Sequence, residues 1–254
     1  MFFMKLDTLI KSLDEFLDIK SFEDLDISLN GLQVGGFDKE INSIAFAVDA
    51  SQKSIENAIY EKHADLLIVH HGLFWGKPLA ITGAHKKKVQ TLLDNELNLY
   101  AAHLPLDANM ECGHNATMAS RLNLKNVEPA FLYHGKPVGV VGTLKETLDI
   151  HQISEILKFT NPIFLDFNEG PINKIGIVSG EGAHDVREAK EIGCDLLITG
   201  EPRHSEYIWC EEEKISMLCG GHYETEVFGL VELASILVKH FDVAISFIKN
   251  PTGL

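Results

Sequence analysis

Short apolar runs that alternate with amphipathic stretches occur twice in this sequence, in the same order, and this repeat limits the fold more than any other feature. Residues 65–68 read Asp-Leu-Leu-Ile, and residues 195–198 repeat those four letters. An Ile-Asn pair begins the preceding strand in each case, at residues 41–42 and 172–173, and the intervening segments differ in length by one residue. Strands that alternate with helices predict an α/β fold with a parallel or mostly parallel sheet and right-handed crossovers.

The correspondence extends to the next predicted strand. Residues 99–103 match residues 217–222, and each segment ends in a histidine, His103 and His222. A carboxylate stands four residues beyond each histidine, Asp107 in the first half and Glu226 in the second. Agreement in strand order, spacing and terminal residues favours an internal duplication. We therefore expect two α-β repeats with mostly parallel or mixed sheets, over approximately residues 1–128 and 129–254.

Hydrophobic periodicity predicts the individual elements. Apolar residues at helical spacing predict helices over residues 4–17, 54–62, 84–95, 115–122, 150–159, 183–192 and 205–212, and a long helix from residue 225. Ser51 is the expected N-cap of the second helix. Apolar runs predict strands over residues 44–48, 66–69, 97–101, 138–144, 175–178, 196–199, 215–219 and 243–247, with a short edge strand after the Asn30-Gly31 turn.

Polar residues follow these strands at the points where each one ends. His70 and His71 come directly after the first Asp-Leu-Leu-Ile strand, and ligands of open α/β sheets bind beyond the carboxyl ends of the strands. A duplicated unit with pseudo-twofold symmetry can bring equivalent loops to one cleft. That arrangement would gather six side chains: His70, His71, His103, Asp107, His222 and Glu226. His204 is a further candidate, because it follows residues 200–203, the counterpart of the His70 loop.

The chemistry of these residue types points to a metal site. Imidazole nitrogen and carboxylate oxygen bind zinc, iron, manganese and cobalt, and a carboxylate can bridge two cations roughly 3.5–4 Å apart. The alternatives for single residues are structural. His103 or His222 could be a hydrogen-bonding histidine, and Asp107 or Glu226 could stabilise a helix N-terminus by about 0.3–1 kcal/mol. The adjacent histidines together with two His-x3-acid segments favour metal binding.

Composition narrows the class of protein. The 254 residues carry a net charge of −15, which argues against non-specific binding of nucleic acid by the whole surface. The four cysteines form no C-x-x-C pair, which indicates a reducing compartment. Residues 1–5 lack the pattern of a signal peptide, and no apolar run is long enough to span a bilayer. We therefore expect a cytoplasmic protein with no membrane segment.

Four sequence blocks resemble the signature of the Nif-three-like family, whose members carry the name GTP cyclohydrolase I type 2. The resemblance covers nearly the whole chain. The His-Leu-Pro-Leu-Asp-Ala and Gly-His-Tyr-Glu-Thr-Glu blocks are the specific ones, and the other two support them. The blocks are Asn-Gly-Leu-Gln-Val at 30–34, His-His-Gly at 70–72, His-Leu-Pro-Leu-Asp-Ala at 103–108 and Gly-His-Tyr-Glu-Thr-Glu at 221–226.

The resemblance implies more than the residues alone do. It implies two intertwined α-β repeats, a dinuclear metal centre in the cleft between them, and toroidal homohexamers. The matching motifs imply two divalent ions (zinc, iron or manganese) bound by five ligands, with Glu226 as the bridge: His70, His71, Asp107, His222 and Glu226. His103 would lie beside the centre as a supporting or acid-base group. His114 departs from the pattern, because Gly-His-Asn stands where the family has Gly-Asn-Asn.

Three functions follow as hypotheses. In the first, the protein is a metal-dependent hydrolase of a purine nucleotide, a GTP cyclohydrolase in which metal-activated water opens the imidazole ring and His103 or His204 carries protons. The sequence contains no phosphate-cradling motif that would support this substrate. In the second, the protein is a non-catalytic metal-binding scaffold or regulator that meets other proteins. In the third, it is a structural oligomer whose histidines are incidental.

Overall fold

The computed structural model describes residues 4–36 and 39–254, so most of the N-terminal stretch considered for a signal peptide lies outside the described residues. The strands are β1 (Met4–Lys5), β2 (Gly31–Val34), β3 (Glu40–Ile41), β4 (Ser43–Asp49), β5 (Leu66–His71), β6 (Asn98–Ala101), β7 (Lys125–Tyr133), β8 (Lys136–Leu148), β9 (Ile163–Leu165), β10 (Ile172–Ile177), β11 (Leu196–Thr199), β12 (Ser216–Cys219) and β13 (Ala244–Phe247).

Helices alternate with these strands through most of the chain. They are α1 (Leu6–Phe16), α2 (Gln52–Tyr60), α3 (Gly83–Asp94), α4 (Leu104–Ala108), α5 (His114–Arg121), α6 (Ile150–Leu157), α7 (Val186–Glu191), α8 (His204–Glu213), α9 (His222–Thr225) and α10 (Phe228–His240), with 3-10 turns at Ile19–Phe22 and Ala183–Asp185. Within the two described ranges, every helix is too short or too polar to cross a membrane.

The chain divides into two compact units. The first contains the chain up to Leu106 together with Leu230–Asn250. Its five-stranded sheet has the order β13-β4-β5-β6-β2, in which β13, β4, β5 and β6 are parallel and the edge strand β2 is antiparallel. β5 is central, and its residues Leu66–Val69 are fully buried because both faces of the sheet are covered.

The second unit contains Asp107–Gly229 and Pro251–Leu254. Its sheet has the order β7-β8-β10-β11-β12-β9, with a parallel centre of β10, β11 and β12 flanked by antiparallel strands. Side chains of a strand alternate between faces, and β11 shows this directly. Leu196 and Ile198 lie in one buried cluster with residues of α5 and α6, whereas Leu197 lies in another with residues of α7. Both faces of this sheet are therefore buried.

Equivalent aspartates anchor the equivalent strands of the two units. Oδ2 of Asp65 accepts hydrogen bonds from the backbone N–H groups of Asn42 and Ser43, at 2.9 and 3.0 Å. Oδ2 of Asp195 accepts from Asn173 N and Lys174 N, both at 2.9 Å. The aspartate that begins each Asp-Leu-Leu-Ile segment thus holds the start of the neighbouring strand. This shared contact supports the duplication inferred from sequence, while the proposed boundary near residue 128 stays a prediction.

The predicted elements are confirmed, with a few differences that have physical causes. Ser51 caps α2, since its hydroxyl accepts from Ser54 N at 3.0 Å. Strand β7 was not predicted, because it is a largely exposed edge strand interrupted by Pro129. Residues 104–108 form the short helix α4 rather than a loop. The long helix expected from residue 225 begins at Phe228, and a separate short helix, α9, precedes it.

Asp185 is expected to make the stability of the protein fall as the pH rises. Burial raises the pKa of its carboxyl to about 6, with His184 opposing the change and Glu188 adding to it. Because the unfolded chain releases this proton near pH 4, the folded state loses relative stability between pH 4 and 6. Asp185→Asn should therefore stabilise the protein by about 2 kcal/mol more at pH 7.5 than at pH 4. Denaturant unfolding at both values measures this, and Glu211→Gln, on an exposed carboxyl, is the control.

Candidate metal centre

The first unit brings three histidines together at the carboxyl end of its parallel strands. His70 and His71 are the last two residues of β5, and His103 follows the end of β6. β5 and β6 are parallel neighbours, with Val69 opposite Ala101, so both strands end at the same edge of the sheet. The apolar run that precedes His70 buries β5 completely and so sets the position of the imidazoles.

The three rings are mutual neighbours. The ring centroid of His70 lies 4.7 Å from that of His71 and 5.0 Å from that of His103, and the centroids of His71 and His103 are 5.8 Å apart. One ring nitrogen from each histidine lies within 4.8 Å of the others. His70 is fully buried, whereas the other two are partly exposed. Among the residues predicted as ligands or catalytic groups, these three form one cluster within the first unit, here called the histidine cluster.

Each ring of the histidine cluster is oriented by an oxygen atom at its Nδ1. Nδ1 of His70 donates to the carbonyl of Ala102, Nδ1 of His71 donates to Asp49 Oδ1, and Nδ1 of His103 donates to Asp26 Oδ1, all at 2.9 Å. A neutral imidazole that donates from Nδ1 carries its lone pair on Nε2. A carbonyl or carboxylate partner of this kind is typical of metal-binding histidines. The donor set therefore fits a divalent metal ion such as zinc, iron or manganese.

The Asn-Gly-Leu-Gln-Val block acts in this cluster as a scaffold. Oδ1 of Asn30 accepts from His103 N at 2.8 Å, and its Nδ2 donates to Asp26 Oδ2 at 2.8 Å. Oε1 of Gln33 accepts from Leu73 N at 2.7 Å, just after His71 and Gly72. A side chain on Gly72 would collide with Gln33, since an added Cβ would lie 2.3 Å from Gln33 Nε2. The block therefore holds the segments that carry His71 and His103.

The second unit pairs His222 with two carboxylates. His222 begins α9 directly after β12 and the Gly220-Gly221 turn. Its Nδ1 lies 2.6 Å from Glu201 Oε1, and its Nε2 lies 3.1 Å from Glu226 Oε1. The hydrogen bond to Glu226 is the main cause of a rise in the His222 pKa to about 9, which burial opposes and the charges of Glu226 and Glu201 increase. This pair therefore attracts positive charge.

Gly180 gives Glu226 the room it occupies. The residue has a φ of +64°, and an added Cβ would lie 2.4 Å from Glu226 Oε1. Only glycine combines that backbone conformation with so close an approach. Gly180 N also donates to Thr225 Oγ1 at 3.0 Å, which ties the turn after β10 to the segment between His222 and Glu226. The backbone thus fits closely around the buried carboxylate.

Asp107, also in the second unit, is held by the turn that follows β10. Ser179 Oγ donates to Asp107 Oδ1 at 2.7 Å, and Ser179 N donates to Asn115 Oδ1 at 2.8 Å. His114, the departure from the expected Gly-Asn-Asn, is fully buried, and its Nδ1 accepts from Gly229 N at 2.9 Å. His114 is therefore a structural hydrogen-bonding residue at the start of α5, and it also offers a ring nitrogen within 4.8 Å of an Asp107 oxygen.

His204 takes a different position from the other candidates. It is exposed in the first turn of α8. Within residues 107–229 the structure joins His222 to Glu201 and Glu226, and His204 is not part of that group. Sequence reasoning missed the acceptors that orient the histidines, namely Asp26, Asp49 and Glu201. These residues are far from their partners along the chain, so no short sequence spacing indicated them. Glu201 is nevertheless in the polar turn that ends the second Asp-Leu-Leu-Ile strand.

Comparisons with known proteins show which family and which proteins this chain is similar to. The family model described as Duf34/NIF3 (NGG1p interacting factor 3) matches residues 4–252. A protein of Deinococcus radiodurans named GTP cyclohydrolase 1 type 2 homolog is 44% identical over 251 residues, which are 98% of this chain and 94% of the relative. A Pyrococcus horikoshii protein of the same name is 42% identical over 255 residues, 99% of this chain and 100% of the relative.

A solved structure agrees with the sequence comparisons. The crystal structure of TTHA1606 from Thermus thermophilus matches with a TM-score of 0.89 and 37% identity, over 99% of this chain and 100% of that chain. The mixed α/β architecture expected from the sequence is therefore one that a solved protein also has. Since the family model spans almost every residue and relatives of this identity cover the chain, the chain belongs to the DUF34/NIF3 family.

Proposed function

We propose that this protein is a metal-dependent hydrolase that binds two divalent metal ions. The ligands are His70, His71, Asp107, His222 and Glu226, with the Glu226 carboxylate as the bridge. The observation that carries the proposal is the orientation of the histidine cluster, in which every Nδ1 donates to an oxygen atom. The position of buried Glu226 beside His222 supports it, because the hydrogen bond between them raises the His222 pKa against the opposing effect of burial.

A metal pair of this kind supplies an activated water at neutral pH. The protein's own part is to hold the ligands and to move protons. His103, fixed by the Asp26 carboxylate, carries its lone pair on Nε2 and is the proposed acid-base group. Asp26 is buried, and the hydrogen bond from His103 lowers its pKa against the opposing effect of burial, so the carboxylate stays ionised. His204 is retained as a second proposed proton carrier because its side chain is exposed.

The proposed substrate is a purine nucleotide, with GTP as the first compound to test. Two relatives are named as homologues of a GTP cyclohydrolase, and that name motivates the choice. The remaining parts of the proposal are a homohexamer and a cytoplasmic location. All four cysteines are buried and none of them is in a disulfide in the described part of the chain, which suits a reducing compartment. The rival proposal is a metal-binding scaffold without turnover, which the description of the family as an interacting factor motivates.

The test begins with untagged protein, because a His-tag would bind metal. Elemental analysis should find about two metals per chain, as expected for a dinuclear site. The metal-loaded protein should then release formate from GTP. His103→Gln should keep its metal and lose turnover by about 10²–10⁴-fold, the usual contribution of an acid-base group. His63→Gln, on a histidine outside the cluster, is the control. Stoichiometric metal with no turnover of GTP would exclude GTP as the substrate, although not hydrolysis in general, and would favour the scaffold. Absence of metal would exclude both proposals.

A further inference from the structure

A formed pocket of about 330 Å³ adjoins the histidine cluster within the first unit. Glu23, residues 26–29 and residues 74–79 make its walls. Backbone contacts join the two segments, since Leu29 N donates to Phe74 O at 3.0 Å and Ser28 forms an antiparallel bridge with Trp75. Because these main-chain bonds hold the walls together, the pocket is part of the fold rather than a gap between loose loops. The proposed metal chemistry makes no use of it.

Trp75 connects this pocket to the histidine cluster. Its ring centroid lies 5.0 Å from that of His103 in an edge-to-face arrangement and 5.8 Å from that of His71. The indole Nε1 donates to the carbonyl of Gly72 at 2.9 Å. This bond satisfies the single polar group of the ring and sets its orientation. Asp26, the partner of His103, also lines the pocket. A molecule in the pocket would therefore lie next to the proposed acid-base group.

Most of the other residues that line the pocket are apolar, and two of them are charged. Ile27, Leu29 and Leu79 line the pocket with 61%, 55% and 47% of their surface exposed. Large apolar side chains exposed together mark a binding surface more often than single ones do. Lys77 places an ammonium group in the same lining, and Glu23 places an exposed carboxylate there. The pocket thus offers an aromatic face, apolar walls, one exposed cation and one exposed carboxylate.

We propose that this pocket binds a mononucleotide, with Trp75 as the surface on which the base stacks. This proposal rests on the proposed function in one respect only, which is the role that the neighbouring histidines would have in a reaction of the bound molecule. A volume of about 330 Å³ is at the small end of ligand pockets, which suits one base with its sugar rather than a peptide. Lys77 pairs with the phosphate. Glu23 accepts hydrogen bonds from the N–H groups on the edge of the base, which favours guanine, whose N1 and N2 are both donors.

Tryptophan fluorescence tests the stacking directly. The chain has two tryptophans, so Trp209→Phe leaves Trp75 as the only reporter. Addition of GMP to this variant should quench its emission with saturation, whereas ribose 5-phosphate, which has no base, should leave the emission unchanged. In the otherwise unaltered protein, Trp75→Leu should weaken GMP binding at least about tenfold by calorimetry, and Trp75→Phe should restore most of it. Lys77→Gln should weaken GMP binding and leave guanosine binding unchanged.

Parallel measurements separate this inference from the proposed hydrolase. The titrations are repeated after chelation of metal, and the metal content of Trp75→Leu is measured. Saturable quenching without metal supports the pocket even if the hydrolase proposal fails. Bound metal in a protein that shows no saturable quenching overturns the pocket alone. Equal GMP affinity in Trp75→Leu also overturns it. Emission that changes with protein concentration and not with GMP would mean that a second copy of the chain covers the surface, which overturns it as well.

Discussion

Glu226→Gln is expected to reduce the bound metal from about two ions per chain to at most one. Glu226 is the proposed bridge, and a neutral carboxamide is a weaker ligand than a carboxylate for two divalent cations. The side chain is buried, so little water can replace the missing oxygen. Elemental analysis after dialysis measures the loss. A second readout is the thermal unfolding midpoint, which bound metal should raise in the unaltered protein and leave nearly unchanged in the variant.

Glu224→Gln is the matched control for this experiment. Glu224 lies two residues away in α9, carries the same charge, and is more exposed. It should keep both metal ions and the metal-dependent rise in unfolding temperature. His71→Ala should behave as Glu226→Gln does, because it removes a ligand from the histidine cluster. Two metal ions retained in Glu226→Gln would contradict the ligand assignment, since the bridge is the residue on which the pair depends.

Phe131→Ala is expected to destabilise the protein by about 3–5 kcal/mol, the usual cost of removing a buried aromatic ring. Phe131 is fully buried in β7 of the second unit. Its ring fills the space above two glycines, since an added Cβ would lie 2.5 Å from the ring on Gly176 and 2.8 Å from it on Gly139. Neighbours without side chains cannot move in to close the cavity. Denaturant unfolding of the variant measures the loss.

The matched control for Phe131→Ala is Leu132→Ala. Leu132 is the next residue of the same strand, but its side chain points to solvent and is 63% exposed. It should change the free energy of unfolding by no more than about 0.5 kcal/mol. Phe131 also has a φ of +63°, held by a hydrogen bond from its N–H to Glu188 Oε1 at 2.9 Å. If Phe131→Ala changed the free energy of unfolding as little as Leu132→Ala, the prediction would be wrong, because neighbouring groups would then have filled the space that the ring leaves.

Local pattern was sufficient for most of the secondary structure. The strands β5 and β11 are buried on both faces, so they read as continuous apolar runs that end at polar residues. The sequence pattern did not predict the edge strand β7, because its residues are largely exposed and do not alternate between buried and exposed positions. The short helix α4 was also missed, since one turn gives no periodicity to detect.

The residues of the candidate site also fall into two groups, those that the sequence predicted and those that it did not. The histidines were visible in sequence because they end apolar strands, and His103 and His222 because a repeat placed them in register. The residues that orient them were not visible. Asp49 is 22 residues from His71, and Asp26 is 77 from His103, so neither pair forms a local pattern.

The sequence by itself therefore determined the α/β class, the duplicated strand-helix order and the residue types available for metal binding. These features depend on local hydrophobic periodicity and on spacing within single loops. The tertiary structure alone decided which nitrogen of each ring in the histidine cluster faces an oxygen acceptor, that Gly180 leaves room for Glu226, and that Trp75 lies beside His103. Those facts depend on contacts between segments far apart in the chain, which form only when the sheets assemble.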